Sequence, residues 1–371
     1  MEFQIETEKL AKGLYRAQGI VERKMVMPAL SNVLIEADEK GTIKITATDL
    51  EVGMTSTLLG EVKKPGSLAV NARVFYEVIR NLKKQKVSVK KLENHGAEIK
   101  CGTSQYKLLG MPVEEFQRPP QAQAEDALEV DIKLLNEMID KTLYAASTDE
   151  ARYNLNGCLV ERVDDENIRM VATDGHRLCM IDRPLMKKGK AAQLGEGIII
   201  PRKGMMEIKR LFDEQQGKCR LYLKENSLFI ENDDTCLVMR LINGRFPDYK
   251  QVVPKEQKIK IHIDRKQFLD SLRRVSIMTV DKKVGVILQI AKGNLTLLSN
   301  NPDIGEAREE MEIEYKGSGL TISFNSKYLE DALSAVSDEK VSFFIEDDLS
   351  PCVIKPKEDG NYTCVLMPMR L

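Results

Sequence analysis

The chain has 371 residues, 42% hydrophobic, 30% charged and 5% aromatic with no tryptophan, which exceeds what one hydrophobic core usually organises and leads us to expect two or three globular domains. No apolar run approaches the length of a membrane span, and the opening MEFQIETEKLAKGL lacks the basic-then-apolar order of a signal peptide, so a cytoplasmic protein with no membrane partner is expected. Charge is balanced at 56 Lys+Arg against 57 Asp+Glu, so binding a polyanion would require the basic residues to be segregated along one surface.

In chain order, FQIETEKLAKGLYRAQ from Phe3 alternates like a strand and then runs into an amphipathic helix. IKITATDLE (43 to 51) is a strand ending in a polar turn, and VNARVFYEVIRNL from Val70 is a second strand-plus-helix unit. The polar, Pro-containing stretch QRPPQAQAED (117 to 126) reads as a linker. The order then starts again with LEVDIKLLNEMIDKTL from Leu128, IRMVATDGH (168 to 176) and IPRKGMMEIKRLF from Ile200, followed by a second linker, VVPKEQK (252 to 258). A third round consists of IHIDRKQFLDSLRRVS from Ile261, LTLLSNNPD (295 to 303) and FNSKYLEDALSAV from Phe324.

A threefold internal repeat follows from this order. Leu10, Leu135 and Phe268 fall at matched positions, and Leu14, Ile139 and Leu272 at the next, giving each first helix an i, i+4 apolar pair. Arg16, Lys141 and Arg274 match on what reads as a polar face, and Arg73, Lys203 and Lys327 coincide in the second unit. The expected fold is α+β: three similar domains, 1–120, 127–253 and 258–371, each with two helices packed on antiparallel sheet.

The octet VATDGHRL (171 to 178) places Asp174 two residues before His176, a spacing that a hydrolase or transferase would use for acid/base work. The matched residues in the other repeats are Glu51 and Asp303, so the turn exists without a histidine and no catalytic residue is expected. P-loop, HExxH and GxSxG motifs are absent from the sequence. The seven cysteines, at 101, 158, 179, 219, 236, 352 and 364, are odd in number and never in CxxC spacing. They read as reduced core thiols, with no metal and no cofactor implied. A sequence-reading DNA-binding regulator would instead want a helix-turn-helix.

Five motifs, RYNLNG (152 to 157), ATDGHRL (172 to 178), IPRKG (200 to 204), NGRFPDY (243 to 249) and VLMPMRL (365 to 371), stand on this repeat in an order that resembles, end to end, the bacterial DNA sliding clamps, the beta subunits of the replicative DNA polymerase III holoenzyme. The resemblance implies two chains joined head to tail into a six-domain ring with helices lining the hole. It implies a non-enzymatic processivity factor that encircles duplex DNA without sequence preference, since phosphates look alike at every step. The implied partners are a second copy of the chain, the clamp loader, the replicative DNA polymerase, and other polymerases and repair proteins carrying a clamp-binding peptide.

Residue by residue, the resemblance assigns DNA contact to Lys24, Arg73, Tyr153, Arg202 and Lys203, with Asn154 standing where some relatives have a second aromatic. Lys9, Lys12, Arg16, Arg80, Lys141, Lys209, Arg210, Arg265, Arg273 and Arg274 are further basic candidates for the hole. The partner-peptide pocket maps onto Leu155, Thr173, Gly175, His176, Arg177, Leu178, Pro247, Val252, Asn325, Tyr328, Val365, Leu366, Met367, Pro368, Met369 and Arg370. In that pocket His176, Arg177 and Asn325 are the polar groups expected to orient a glutamine. Gln251 and Lys283 depart from some relatives at its edge. Tyr106 and Leu108 are expected to pack against Ile277 and Met278 of a second copy.

Overall fold

The computed structural model describes residues 1–21, 27–123, 127–186, 194–195, 197–212, 217–254, 259–279 and 285–370. Lys24, Lys283, Leu371 and the ends of both linkers (124–126 and 255–258) lie outside the described residues. Each apolar repeat signal has become a strand feeding a helix. The first units are Glu2–Glu6 with α1 (Thr7–Ala17), and the second Gly66–Asn71 with α2 (Ala72–Arg80). In the middle repeat Leu128–Asp131 feeds α3 (Ile132–Thr142) and Ile198–Pro201 feeds α4 (Arg202–Phe212). In the last, Ile259–Asp264 feeds α5 (Arg265–Val275) and Leu320–Phe324 feeds α6 (Ser326–Ser334).

Helices α2, α5 and α6 start where a short polar side chain satisfies the first free amides. Asn71 accepts from the Val74 amide, Asp264 from Gln267, and Asn325 from both Lys327 and Tyr328. Their inward faces are the matched apolar pairs: Leu10, Leu14, Leu135, Ile139, Phe268 and Leu272 are all buried. Each contributes about 1.5–3 kcal/mol by leaving water. Phe268 also meets Phe343 edge-on, with ring centroids 5.5 Å apart.

The chain packs as two compact units. Residues Met1–Lys133 and Lys203–Leu241 form one, which holds a five-stranded and a nine-stranded antiparallel sheet. In the larger sheet Val52–Leu59 of the first repeat pairs with Thr235–Arg240 of the middle one. Leu134–Arg202 and Ile242–Leu371 form the other unit, with an eight-stranded and a four-stranded sheet. There Arg177–Pro184 of the middle repeat pairs with Tyr362–Leu366 of the last. Within each unit, then, one repeat lends its closing strand to the sheet of the preceding repeat, which removes an exposed edge.

The turn within VATDGHRL has one structural device in all three repeats. Asp49 Oδ1 accepts from the Glu51 and Val52 amides, Asp174 Oδ1 from His176 and Arg177, and Asn301 Oδ1 from Asp303. An Asx side chain at this point closes the turn, and the histidine position tolerates Glu and Asp because only its backbone takes part.

The matched basic residues depart from the expected polar face. Arg16 is 4% exposed and donates to Ser56 Oγ and Asp234 Oδ2, both at 2.9 Å. Lys141 is 7% exposed and pairs with Glu137 at 2.9 Å and Asp359 at 3.0 Å. A cation withdrawn from water needs such partners. Arg274 alone of the three stays at the surface, forked onto Glu309 at 2.6 and 2.7 Å.

Candidate functional site

In the second unit the ends of strands Asn167–Thr173, Arg177–Pro184 and Tyr362–Leu366 meet two 3-10 turns, Glu150–Leu155 and Tyr249–Gln251. The strand turn is held from inside: Thr173 Oγ1 donates to the Arg177 carbonyl at 2.6 Å and accepts from the Gly175 amide at 3.1 Å. Gly175 sits at φ +88°, a left-handed conformation that a side chain would strain. Beyond the last strand the chain continues alongside this turn, with the Met367 amide donating to the His176 carbonyl at 2.9 Å and the Met369 amide to Ser323 at 2.8 Å.

These elements enclose an open cleft of about 460 Å³ lined by Leu155, Thr173, Gly175, His176, Arg177, Leu178, Pro247, Tyr249, Val252, Val365 and Met367. Its floor belongs to a core cluster in which Leu155, Leu178, Tyr249 and Val365 pack with Phe246 and Val353. Its rim is looser, with Met367 39% and Val252 42% exposed. A fixed apolar floor under an adaptable rim suits a small number of apolar anchor side chains.

Tyr249 is a lining residue that the sequence reading left out, although it closes the quoted NGRFPDY. Its hydroxyl donates to Glu161 Oε1 and accepts from Arg169 Nη1 at 3.2 Å. Burial, helped by the Glu161 hydrogen bond, pushes its phenol up to about 12.

Six assigned pocket residues lie elsewhere. Leu366 is buried opposite Arg177 and Cys352 in the sheet. Pro368, Met369 and Arg370 follow the rim without lining the cleft. Asn325 spends its side-chain oxygen on capping α6, and Tyr328 lines a second, polar cavity of about 990 Å³ that shares His176 and Arg177 with the apolar one.

Arg177 is the wall between the two cavities, and each of its three guanidinium nitrogens makes a hydrogen bond. Nε donates to Asp174 Oδ2 at 3.1 Å, Nη1 to Asp331 Oδ2 at 2.7 Å and Nη2 to the Tyr144 carbonyl at 2.5 Å. The Tyr328 ring lies under it at 4.3 Å. Burial alone would lower this group; the Asp331 hydrogen bond and the charges of Asp174 and Asp331 override it and keep the guanidinium raised. Burial, followed by the Asp174 charge, raises the Tyr328 phenol. Arg177 thus holds the turn and α6 together, and Asn325 uses its side-chain oxygen, but not its amide nitrogen, as the α6 cap. His176 is exposed, with its ring stacked on Tyr328 at 6.5 Å. The Asp174 carboxylate serves backbone amides and Arg177, so no Asp–His acid/base pair is assembled.

Of the residues assigned to DNA, Arg73 is exposed on α2 and Tyr153 is 58% exposed. Lys203 forms an ion pair with the buried carboxylate of Asp49. Arg202 Nη1 donates to the Leu143 carbonyl at 2.9 Å and lines the polar cavity. Tyr106, 41% exposed, and half-buried Leu108 lie on Ser104–Leu108, the outermost strand of the five-stranded sheet. Ile277, 65% exposed, and half-buried Met278 lie on the 3-10 turn Ser276–Met278. In the same unit Gly305–Glu312 is an outermost strand of the four-stranded sheet.

Comparison with known proteins covers the chain almost continuously. Family models for the DNA polymerase III beta subunit match as its N-terminal domain over residues 1–120, its central domain over 129–248 and its C-terminal domain over 250–370. A beta sliding clamp of Pseudomonas aeruginosa is 32% identical over 374 residues, spanning 100% of both chains. The solved DNA polymerase sliding clamp from Caulobacter crescentus is 31% identical with a TM-score of 0.93, and the sliding clamp from Bartonella birtlesii bound to griselimycin is 31% identical with a TM-score of 0.94, each over 100% of both chains.

Proposed function

The chain belongs to the DNA polymerase III beta subunit family, the bacterial sliding clamps, and on that premise we propose that it encircles duplex DNA as a homodimeric ring and tethers the replicative polymerase through the apolar cleft. The observation that carries this reading is the cleft itself: Leu155, Leu178 and Val365 beneath an exposed rim of Val252 and Met367. Such a surface offers anchor sites for the Leu and Phe of a short partner peptide, and a methionine at the rim lets one site serve several partners. Those partners are the clamp loader, other polymerases and repair proteins carrying the same kind of peptide. With Arg177 held by Asp174 and Asp331, a partner's glutamine is met by His176, by the Asn325 amide nitrogen and by backbone groups of the rim. The task is tethering rather than chemistry, because holding an enzyme at the primer end raises its effective concentration there.

The three repeats, 1–120, 127–253 and 258–371, are the domains of this ring. Ring closure brings Tyr106 and Leu108 of one copy to Ile277 and Met278 of the other, a heterologous contact that closes after two steps. Two outermost strands, Ser104–Leu108 and Gly305–Glu312, support it, since each presents unpaired backbone groups in a single chain. Sliding contact falls to the exposed Arg73 and Tyr153 and to the basic residues Lys24, Arg202 and Lys203. The protein works in the cytoplasm, and no helix among the described residues is long and apolar enough to cross a membrane.

The test is topological. Loaded on closed circular DNA, the protein stays bound at moderate salt and is lost when the circle is cut. Equal retention on circular and linear DNA would exclude encirclement, and failure of a fluorescent Gln-Leu-Phe peptide to bind would exclude the cleft.

A further inference from the structure

Cys179 and Cys364 stand directly opposite one another on the two strands that carry the cleft. Met367 donates to His176 and Asp182 to Asn361, so the hydrogen-bonded pairs fall on even positions of the first strand. Cys179 therefore occupies a non-hydrogen-bonded position, where facing Cα atoms approach to about 4.5 Å. A disulfide spans Cα separations of about 4.4–6.8 Å. The two Sγ atoms are 3.0 Å apart and both side chains are fully buried. The other five cysteines face different residue types, for example Cys158 opposite Ile200 and Cys219 opposite Val130. The thiol pair is closed in by two phenols: the Tyr144 hydroxyl lies 2.8 Å from Cys179 Sγ and 2.7 Å from the Tyr362 hydroxyl.

We propose that Cys179 and Cys364 are an oxidative modification site, at which a peroxide joins the two thiols into a reversible disulfide that staples the strands forming the cleft. The effect on binding rests on the peptide-cleft reading; the cross-link does not. Burial raises the Cys364 thiol, whereas at Cys179 burial is outweighed by hydrogen bonds from Cys364, Tyr144 and Tyr362 and by the Arg177 charge, which hold it below the usual thiol range. Cys364 Sγ at 3.0 Å and the Tyr144 hydroxyl at 2.8 Å both face Cys179, which is the thiol that attacks first. Its sulfur bonds to one peroxide oxygen, the O–O bond breaks, and the departing hydroxide takes up the thiol proton to leave as water. Cys364 sulfur then attacks the sulfenic acid, the S–S bond forms, the S–O bond breaks, and the second water leaves with the Cys364 proton. The two thiols lose two electrons and the peroxide gains them. Leu178 and Val365, the adjacent residues on the same strands, line the cleft. As the sulfurs close from 3.0 Å to about 2.05 Å, the two strands draw together beneath Leu178 and Val365 and change the shape of the fixed floor on which an anchor side chain sits.

The full-length protein is exposed to hydrogen peroxide, its remaining thiols are alkylated after denaturation, and unreduced peptides are mapped by mass spectrometry. A peptide pair linked through 179 and 364 is expected, lost in Cys364→Ala, where dimedone instead traps sulfenic acid on Cys179. Oxidised protein is expected to bind a fluorescent Gln-Leu-Phe peptide several-fold more weakly, with affinity restored by dithiothreitol. Full alkylation of both thiols, or links to other cysteines, overturns the site. A 179–364 link that leaves peptide affinity unchanged overturns the staple. If the reduced protein fails to bind the peptide at all, the cleft reading fails while the mapping still decides the cross-link.

Discussion

Removing Met367 to Leu371 tests the cleft most directly, because the deletion takes away one wall and leaves the floor. The last strand ends at Leu366, so Val365 and the sheet register survive. The lost hydrogen bonds are those from the Met367 amide to His176 and from Met369 to Ser323, at about 1 kcal/mol each or less where water can replace them. Met367 is 39% exposed, and covering that fraction of a methionine contributes about 0.6–1.2 kcal/mol from a full-burial value of roughly 1.5–3 kcal/mol. The anchor side chain loses a comparable cover, so peptide binding weakens by about 1–2 kcal/mol, or roughly five- to thirtyfold in Kd. His176→Ala removes at most one polar contact of about 1 kcal/mol, no more than about fivefold. Anisotropy titration of a labelled Gln-Leu-Phe peptide, with circular dichroism melting to verify the fold, measures both. Equal affinity of the deleted and intact proteins would refute the pocket, and a hydrolytic activity abolished by His176→Ala would restore a catalytic reading of the octet.

Replacing Ile277 by Ala together with Met278 by Ser should yield monomers in sedimentation, and a persistent tight dimer would show the seam to be misplaced. Arg73→Glu should weaken DNA retention and flatten its salt dependence with folding intact, whereas Lys203→Glu should also lower thermal stability by stranding the buried Asp49 carboxylate; identical melting of the two variants would contradict the ion pair. Burial pushes the Asp359 carboxyl up, but the hydrogen bonds from Arg183 and Lys141 hold it down at about 2, below its usual 3.8. A depressed carboxyl stabilises the fold above its unfolded pKa and loses that contribution as pH falls through the folded value. The melting advantage over Asp359→Asn should therefore be full at pH 7 and shrink between about pH 4 and 2, and a pH-independent difference would rule this out.

Helix placement was legible in the sequence because apolar spacing and helix starts are local: Leu10 and Leu14, or Asp264 before α5, carry their own signal. Most of the cleft was legible by resemblance, since its lining falls within the quoted motifs. Side-chain partnership across long separations was not. Arg16 meets Asp234 and Lys141 meets Asp359, in each case 218 residues away, so their helix faces read as polar although they are buried. Arg177 looked available for the same reason, because Asp331, 154 residues further on, is brought in by folding, whereas the Asn325 cap on Lys327 and Tyr328 is local. Tyr249 was overlooked because an aromatic with a polar tip reads equally as core or surface until Glu161 and Arg169 are placed beside it.

The two long-range ion pairs also determine where this chain can be cut. Arg16 and Lys141 occupy the same position in successive repeats, and each finds its aspartate in the hairpin before the closing strand of the next repeat. Excising residues 1–120 at the apparent sequence boundary would take Asp234 from Arg16 and would bare the edge of Val52–Leu59. The repeat visible in the sequence is thus not the smallest piece able to stand alone, and a fragment meant to fold by itself must carry the hairpin of its successor.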